Sequence, residues 1–188
     1  MKGVYNLRMP LPKLSCVWDV SKVLQYLITF FPLEDLSLKD LSLKLVMLIS
    51  LTCASRVQTI DSLKLSNMCQ EKSYFMFGFD TLLKTSRPGH PVKELKMCAY
   101  PMDNRLCIYV ALKEYLKRTC SIRGDVDKLF VSYVKPHREV SRETIARWIR
   151  VVMDRSGVDI RKFTAHSVRA AAVSKAKINN VSIDDIIS

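Results

Sequence analysis

The longest apolar run of the chain reads LSLKDLSLKLVMLISLTCASR and covers residues 36–56. Leucine and isoleucine recur along it at the spacing of one helix face, and Ser37 stands where a helix N-cap is expected. Lys44 interrupts the run, which is also too short to cross a bilayer. We therefore predict a core helix, followed immediately by Arg56.

A second helical stretch, FTAHSVRAAAVSKA, covers residues 163–176. Its alanines favour a helix. His166 and Arg169 are three residues apart, which places them on one helix face. Taken singly, they are equally well explained as a packed histidine and a surface arginine. Taken as a pair, they form a site that could bind an anion.

Elsewhere the apolar spacing predicts helices from Trp18 to Phe31, from Asn104 to Thr119 and from Ser141 to about Ser156, where Gly157 ends the last one. Between the first two of these helices, the aromatic segment SYFMFGFD and the residues after a Pro-Gly turn predict antiparallel strands, with Lys84 near the turn. KLFVSYV, residues 128–134, is expected to be a further extended segment. The pattern indicates one mainly helical α+β domain.

The charge balance indicates a polyanionic partner. Thirty Lys and Arg residues against eighteen Asp and Glu residues give a formal charge of +12, and nucleic acid is the commonest partner of so basic a domain. A membrane surface is the weaker alternative, because no basic helix carries a bulky apolar face. A solvated helix face is the structural alternative for the basic residues that we predict to contact DNA phosphates: Lys135, Arg138, Arg142, Arg147 and Arg150.

Several classes of protein are excluded by the sequence. The six cysteines form no C-x-x-C pair, so we expect reduced thiols, no metal site and no cofactor. The N-terminus has no apolar signal-peptide core, and no run is long enough to span a membrane. We expect a nuclear or other intracellular protein that does not contact a membrane.

Four blocks in order resemble the tyrosine recombinase (integrase) family. They are LSLKLVMLISLTCASRVQTIDSL, LLKTSRPG, TIARWIRVVMDRSGVD and FTAHSVRAAAVSKA. The resemblance runs from about Trp18 to Ser188 and is closest to the recombinases of DIRS-type and crypton-type mobile elements. It implies a mainly helical α+β catalytic domain with a small three-stranded antiparallel sheet at one edge, bound to double-stranded DNA as a homo-oligomer, a synaptic tetramer.

The resemblance also implies a metal-free reaction in which a tyrosine attacks a DNA phosphate and forms a 3′-phosphotyrosine. Arg56 and Arg169 would clamp that phosphate, His166 would donate a hydrogen bond to it, and Lys84 would be the general acid. Lys84 is preferred over Lys72, Lys93 and Lys96 because KTSRPG matches its block.

The sequence departs from the family pattern in two places. An acidic residue is usual three positions after the first arginine, but Thr59 stands there, so the support of Arg56 is expected to be missing or shifted to Asp61. None of the seven tyrosines follows His166. Residues 16–188 are therefore expected to be a catalytic domain incomplete at its C-terminus, and residues 1–15 a linker or the tail of a missing N-terminal DNA-binding domain.

Three functions remain open from the sequence. The first is a recombinase domain of a mobile element whose nucleophile lies beyond this chain, which leaves its status as an enzyme undecided. The second is a catalytically inactive DNA-binding module, from a decayed or domesticated copy. The third is a helical protein-interaction domain whose basic charge only maintains solubility.

Overall fold

The computed structural model describes residues 17–80 and 94–178. Its helices are α1 Val20–Ile28, α2 Leu38–Thr52, α3 Val57–Asp61, α4 Ile108–Thr119, α5 Arg142–Arg155 and α6 Ser167–Ile178. The strands β1 Met68–Gln70, β2 Tyr74–Phe77 and β3 Leu95–Cys98 form an antiparallel sheet in the order β1-β2-β3. The predicted mainly helical fold with a three-stranded antiparallel sheet is confirmed.

Helix α2 is the centre of the core. Its predicted cap is present, since the Ser37 hydroxyl accepts a hydrogen bond from the Asp40 backbone N–H at 3.0 Å. Every residue from Leu41 to Leu51 is buried, so the helix is enclosed on all sides rather than amphipathic. It packs against α3, α4, α5 and α6. The residue that follows α2 is therefore held by the most rigid part of the molecule.

Lys44 is enclosed with the rest of α2. Its ammonium donates to the carbonyl oxygens of Leu27, at 3.0 Å, and Phe30, which belong to the last turn of α1 and the residues just after it. The Leu27 carbonyl oxygen also accepts from the Phe30 backbone N–H at 3.2 Å, so the lysine adds a further bond at the C-terminal end of α1. Burial lowers the pKa of Lys44 to about 8, against a smaller opposing effect of Asp103.

The sheet buries one face against α4. Phe75 and Phe77 alternate with less buried neighbours on β2, and the Phe75 ring lies 4.9 Å from the ring of Tyr109 on α4. The segment KLFVSYV joins no sheet and makes only isolated bridges. One reason is that the Val131 backbone N–H donates to the Tyr115 hydroxyl at 3.1 Å rather than to a neighbouring strand.

Helix α5 has the predicted boundaries. The Thr144 backbone N–H donates to the Ser141 hydroxyl at 3.3 Å, and Gly157, with a φ of 80°, follows the helix end in the left-handed conformation that favours glycine. The helix predicted from Asn104 is split in two, because the Asp103 carboxylate accepts from the Arg105 N–H and holds a separate 3₁₀ turn, Asn104–Leu106. VSIDDIIS, residues 181–188, in which Ser182 and Asp185 fit a capping box and predict the start of a further helix, lies outside the described residues.

Candidate phosphate-binding site

Arg56 is positioned by the end of the core helix. The chain leaves α2 through Ala54, whose φ of 43° lies in the left-handed region that is unfavourable for alanine. Arg56 then takes an extended conformation as the N-cap residue of α3 and is half-buried. The sharp turn thus places the arginine directly at the end of the most buried helix.

Arg169 lies in the first turn of α6. This helix packs on α2 and α1, and its small residues Ala171 and Ala172, together with Val168, are buried against the core. Arg169 itself is half-buried. Small side chains allow the helix to approach α2 closely, so the guanidinium is held near the core surface.

The charge of Arg56 acts on Arg169 although the two arginines are far apart in sequence. Burial lowers the pKa of Arg169, and the positive charge of Arg56 lowers it further. Within residues 17–80 and 94–178, neither guanidinium forms a salt bridge with a carboxylate. Two guanidiniums that act on each other and have no carboxylate partner among the described residues make a candidate anion site, and the forked N–H groups of arginine fit the oxygens of a phosphate.

His166 lies directly before α6 and not within it. The helix begins at Ser167, because the Ser167 N–H and hydroxyl both bond the Thr164 carbonyl oxygen, at 2.9 and 2.7 Å, and close a turn there. The expectation that His166 and Arg169 share a helix is thus corrected to an exposed histidine in the turn that leads into the helix. The sequence spacing still places it three residues before Arg169.

Two of the four candidate lysines for the site lie within the described residues. Lys84 and the alternative Lys93 lie outside the described residues. Lys72 is exposed, and the Lys96 ammonium lies 4.0 Å from the centroid of the Tyr74 ring, where it makes a cation–π contact. Lys84 therefore stays a prediction based on its sequence block.

Asp61 does not support Arg56. Its carboxylate lies 3.0 Å from the Lys128 ammonium and 4.0 Å from the Arg142 guanidinium. Asp61 thereby ties the end of α3 to the start of α5 and to the segment before it. The hypothesis of a shifted acidic support for Arg56 is not favoured by this arrangement.

The basic residues predicted to contact DNA are exposed on two neighbouring elements. Lys135 and Arg138 lie in a tight loop, closed by the Ser132 N–H donating to the Arg138 carbonyl oxygen at 2.7 Å. Arg147 and Arg150 are exposed on α5, where they line a groove of about 470 Å³. Among the described residues these four side chains form no salt bridge, whereas Arg142 lies 4.0 Å from Asp61.

Solved structures of recombinases share this architecture. XerA recombinase matches with a TM-score of 0.65 and 21% identity, over 97% of this chain and 56% of its own. XerH site-specific recombinase bound to its difH substrate matches with a TM-score of 0.65 and 14% identity, over 90% and 45%. The lambda integrase catalytic core matches with a TM-score of 0.52 and 17% identity, over 90% and 89%.

The fold is that of tyrosine recombinase catalytic domains. The chain spans about half the length of XerA and XerH, but 89% of the isolated lambda integrase catalytic core is covered. Lambda integrase is also known as a tetramer bound to a Holliday junction, which matches at a TM-score of 0.50 and 17% identity over 89% of this chain and 44% of its own. No protein-family model and no curated protein matches the sequence.

One contact at the site was not predicted. The Trp18 indole N–H donates to the Ser167 hydroxyl at 3.0 Å, across 149 positions of sequence. No spacing rule connects residues so distant, because helical periodicity describes only neighbours along one helix.

A membrane-spanning role finds no support in the described ranges, where no helix is long and apolar enough to cross a bilayer.

Proposed function

We propose that this chain is the DNA-binding catalytic domain of a site-specific recombinase or integrase from a mobile element. The observation that carries the proposal is the Arg56–Arg169 pair, two guanidiniums brought together without a carboxylate among the described residues. The net charge of +12 and the exposed basic residues on α5 and the preceding loop support a duplex DNA partner. The resemblance of four sequence blocks to DIRS-type and crypton-type recombinases supports the mobile-element origin, and with it a nuclear location.

The proposed reaction transfers a DNA phosphate to a tyrosine and back. The tyrosine hydroxyl gives its proton to solvent as its oxygen attacks phosphorus, the bond from phosphorus to the 5′ oxygen breaks, and Lys84 gives a proton to that leaving oxygen. Arg56 and Arg169 stabilise the charge on the non-bridging oxygens of the transition state, and His166 donates a further hydrogen bond. A 5′-hydroxyl of another strand then attacks the phosphotyrosine and rejoins the DNA, so the residues named require no metal and no cofactor.

The nucleophile divides the proposal into two versions. In the sequence given, no tyrosine follows His166. In the active version, a tyrosine outside these 188 residues, from the same protomer or from a second protomer of a homo-oligomer, completes the site. The lambda integrase tetramer on a Holliday junction supports the oligomer. In the alternative version, the domain binds DNA and cuts nothing.

Salt-dependent DNA binding tests the proposal. We expect the chain to bind a short duplex with an affinity that falls steeply with salt. Arg56→Ala and Arg169→Ala should each weaken binding by about tenfold, since each removes a charged hydrogen-bond donor. The double variant should lose less than the product of the two effects, because both arginines bind one phosphate.

The matched control is Arg105→Ala, which removes the same charge from an arginine already paired with Asp103 at 2.9 Å. Its affinity should stay within about twofold of the parent protein. Equal losses for Arg105→Ala and Arg169→Ala would reduce the site to a general charge effect and contradict the clamp. A chain that binds no duplex at any salt would contradict the DNA partner altogether.

A nicked suicide substrate separates the two versions. A longer protein that carries this domain together with a tyrosine after His166 should form a covalent DNA adduct, and Arg169→Ala should abolish it. DNA binding without any adduct in that longer protein would favour the inactive module.

A further inference from the structure

Two consecutive hydrogen bonds link Trp18, which lies just before α1, to the turn that carries His166. The Trp18 indole N–H donates to the Ser167 hydroxyl at 3.0 Å, and this hydroxyl donates to the Thr164 carbonyl oxygen at 2.7 Å. An indole N–H can only donate and a serine hydroxyl has one proton. The direction of both bonds is therefore fixed.

Two residues joined by these hydrogen bonds, Thr164 and Ser167, stand on either side of His166 in the sequence. Thr164 precedes the Ala165–His166 pair and Ser167 follows it, and the Ser167 backbone N–H also donates to the Thr164 carbonyl oxygen at 2.9 Å. Ser167 thus closes the turn with two bonds and accepts a third from Trp18. Trp18 is 7% exposed and belongs to the hydrophobic core, so the support under Ser167 is rigid.

The contact is part of a longer seam between the start of α1 and α6. The Lys175 ammonium donates to the Ser21 hydroxyl at 3.2 Å, two helical turns after Ser167. Between these two bonds, residues of both elements line a narrow cleft of about 240 Å³. Residues 18–21 therefore contact α6 both at its first residue and about two turns later.

We propose that Trp18 is a positioning residue that acts through Ser167 to hold His166 where it can donate to a bound DNA phosphate. The inference rests on the proposed function, because the phosphate gives His166 its task. Trp18 touches neither the phosphate nor the two arginines in this scheme. Its expected effect on His166 passes through the turn Thr164–Ser167, and this distinguishes it from a general loss of core packing.

Histidine NMR tests the positioning in the free protein. The chain holds three histidines, His90, His137 and His166, so imidazole spectra of labelled protein are simple, and His166→Asn assigns the signal. We expect Trp18→Phe and Ser167→Ala to shift or broaden the His166 signal and to leave the His137 signal unchanged. An unchanged His166 signal in both variants would overturn the proposal.

Trp148→Phe is the matched control. Trp148 is the other tryptophan, is 2% exposed, and stacks on Tyr133 at 5.3 Å. Trp148→Phe makes the same change of side chain in the core as Trp18→Phe does. Trp148, however, lies beside the loop that carries His137. We expect it to move the His137 signal and not the His166 signal. If Trp148→Phe moved His166 as much as Trp18→Phe does, the effect would be general loosening and the proposal would fail.

Duplex binding tests the functional step with a double-mutant cycle. Trp18→Phe should weaken binding by about threefold, the effect of one neutral hydrogen bond, and should have no effect in a His166→Asn background. Additive losses would mean that Trp18 acts on binding without His166, which contradicts the inference. Failure of the proposed function would look different: Arg169→Ala would bind as the parent does, while the free-protein spectra would still decide the role of Trp18.

Discussion

At the scale of single residues, Lys44 is held in a setting that opposes its charge. Its side chain is fully buried in α2, and its pKa falls to about 8 from an ordinary value of 10.5. A neutral amine still has two N–H groups, enough for the carbonyl oxygens of Leu27 and Phe30. The two bonds to α1 therefore survive loss of the proton.

This pKa predicts a rise of stability with pH. Between pH 8 and 10.5 the unfolded chain binds more protons at Lys44 than the folded protein does, so the free energy of unfolding increases with pH, by at most about 1.4 kcal/mol per pH unit. The contribution is complete above pH 10.5 and is lost as the pH falls to 8. Urea unfolding at several pH values should show this slope in the parent protein and not in Lys44→Met. Parallel pH profiles of the two proteins would contradict it.

Asp61 carries the second residue-scale prediction. Asp61→Asn removes the charge that pairs with Lys128 and neighbours Arg142. We expect the free energy of unfolding to fall by about 1 kcal/mol, as for a partly buried pair. DNA affinity should stay the same or rise slightly, because Arg142 gains freedom to contact phosphate. A tenfold loss of DNA binding without unfolding would instead indicate that Asp61 supports Arg56 after all.

At the scale of elements, α5 has a buried apolar side and an exposed basic side. Ile145, Trp148, Ile149, Val152 and Met153 are buried on one side, and Arg147 and Arg150 are exposed. The arginines line a groove together with Glu143 and Asp154, and among the described residues they form no ion pair with a carboxylate. This face can therefore meet a DNA backbone without loss of folded structure.

Arg147→Ala combined with Arg150→Ala should lower the slope of log affinity against log salt by about 2, one unit for each lost phosphate contact. Arg155→Ala lies on the same helix and is the control, because Arg155 pairs with Asp40 at 3.6 Å. Filter binding over a range of salt concentrations gives both slopes. If the double variant had the same slope as Arg155→Ala, Arg147 and Arg150 would belong to a solvated helix face.

The same scale explains what the sequence could predict. Helices α2 and α5 were predictable because their caps and apolar spacing are local, and the sheet because its aromatic strand stands beside turn residues. The split before α4, the turn at His166 and the isolated bridges of residues 128–131 were not. Each depends on a side chain that competes for a backbone group, namely Asp103, Ser167 and Tyr115.

At the scale of the whole molecule, the candidate site depends on α2. Arg56 follows its end, and α6, which carries Arg169, packs on its side. The convergence of the two arginines was expected from the resemblance to recombinases alone. Composition and periodicity identified both helices but gave no information on their relative placement, which is a long-range property of the core.

Anion binding should raise the thermal stability of the whole molecule. A ligand that binds only the folded state stabilises it in proportion to the logarithm of its concentration over Kd. We expect a short DNA duplex at one hundred times its Kd to raise Tm by several degrees, equivalent to about 2.7 kcal/mol. Scanning calorimetry of the parent and of the Arg56→Ala, Arg169→Ala double variant measures the difference. If the two proteins showed an equal rise in Tm at the same duplex concentration, the effect would belong to other basic residues.

The action of Arg56 on Arg169 has a consequence for how the domain responds to an anion. Burial and, to a smaller extent, the positive charge of Arg56 disfavour the charged form of Arg169. An anion that binds both guanidiniums offsets this unfavourable interaction, so the start of α6 is expected to be held more firmly against α2 with the anion bound than without it.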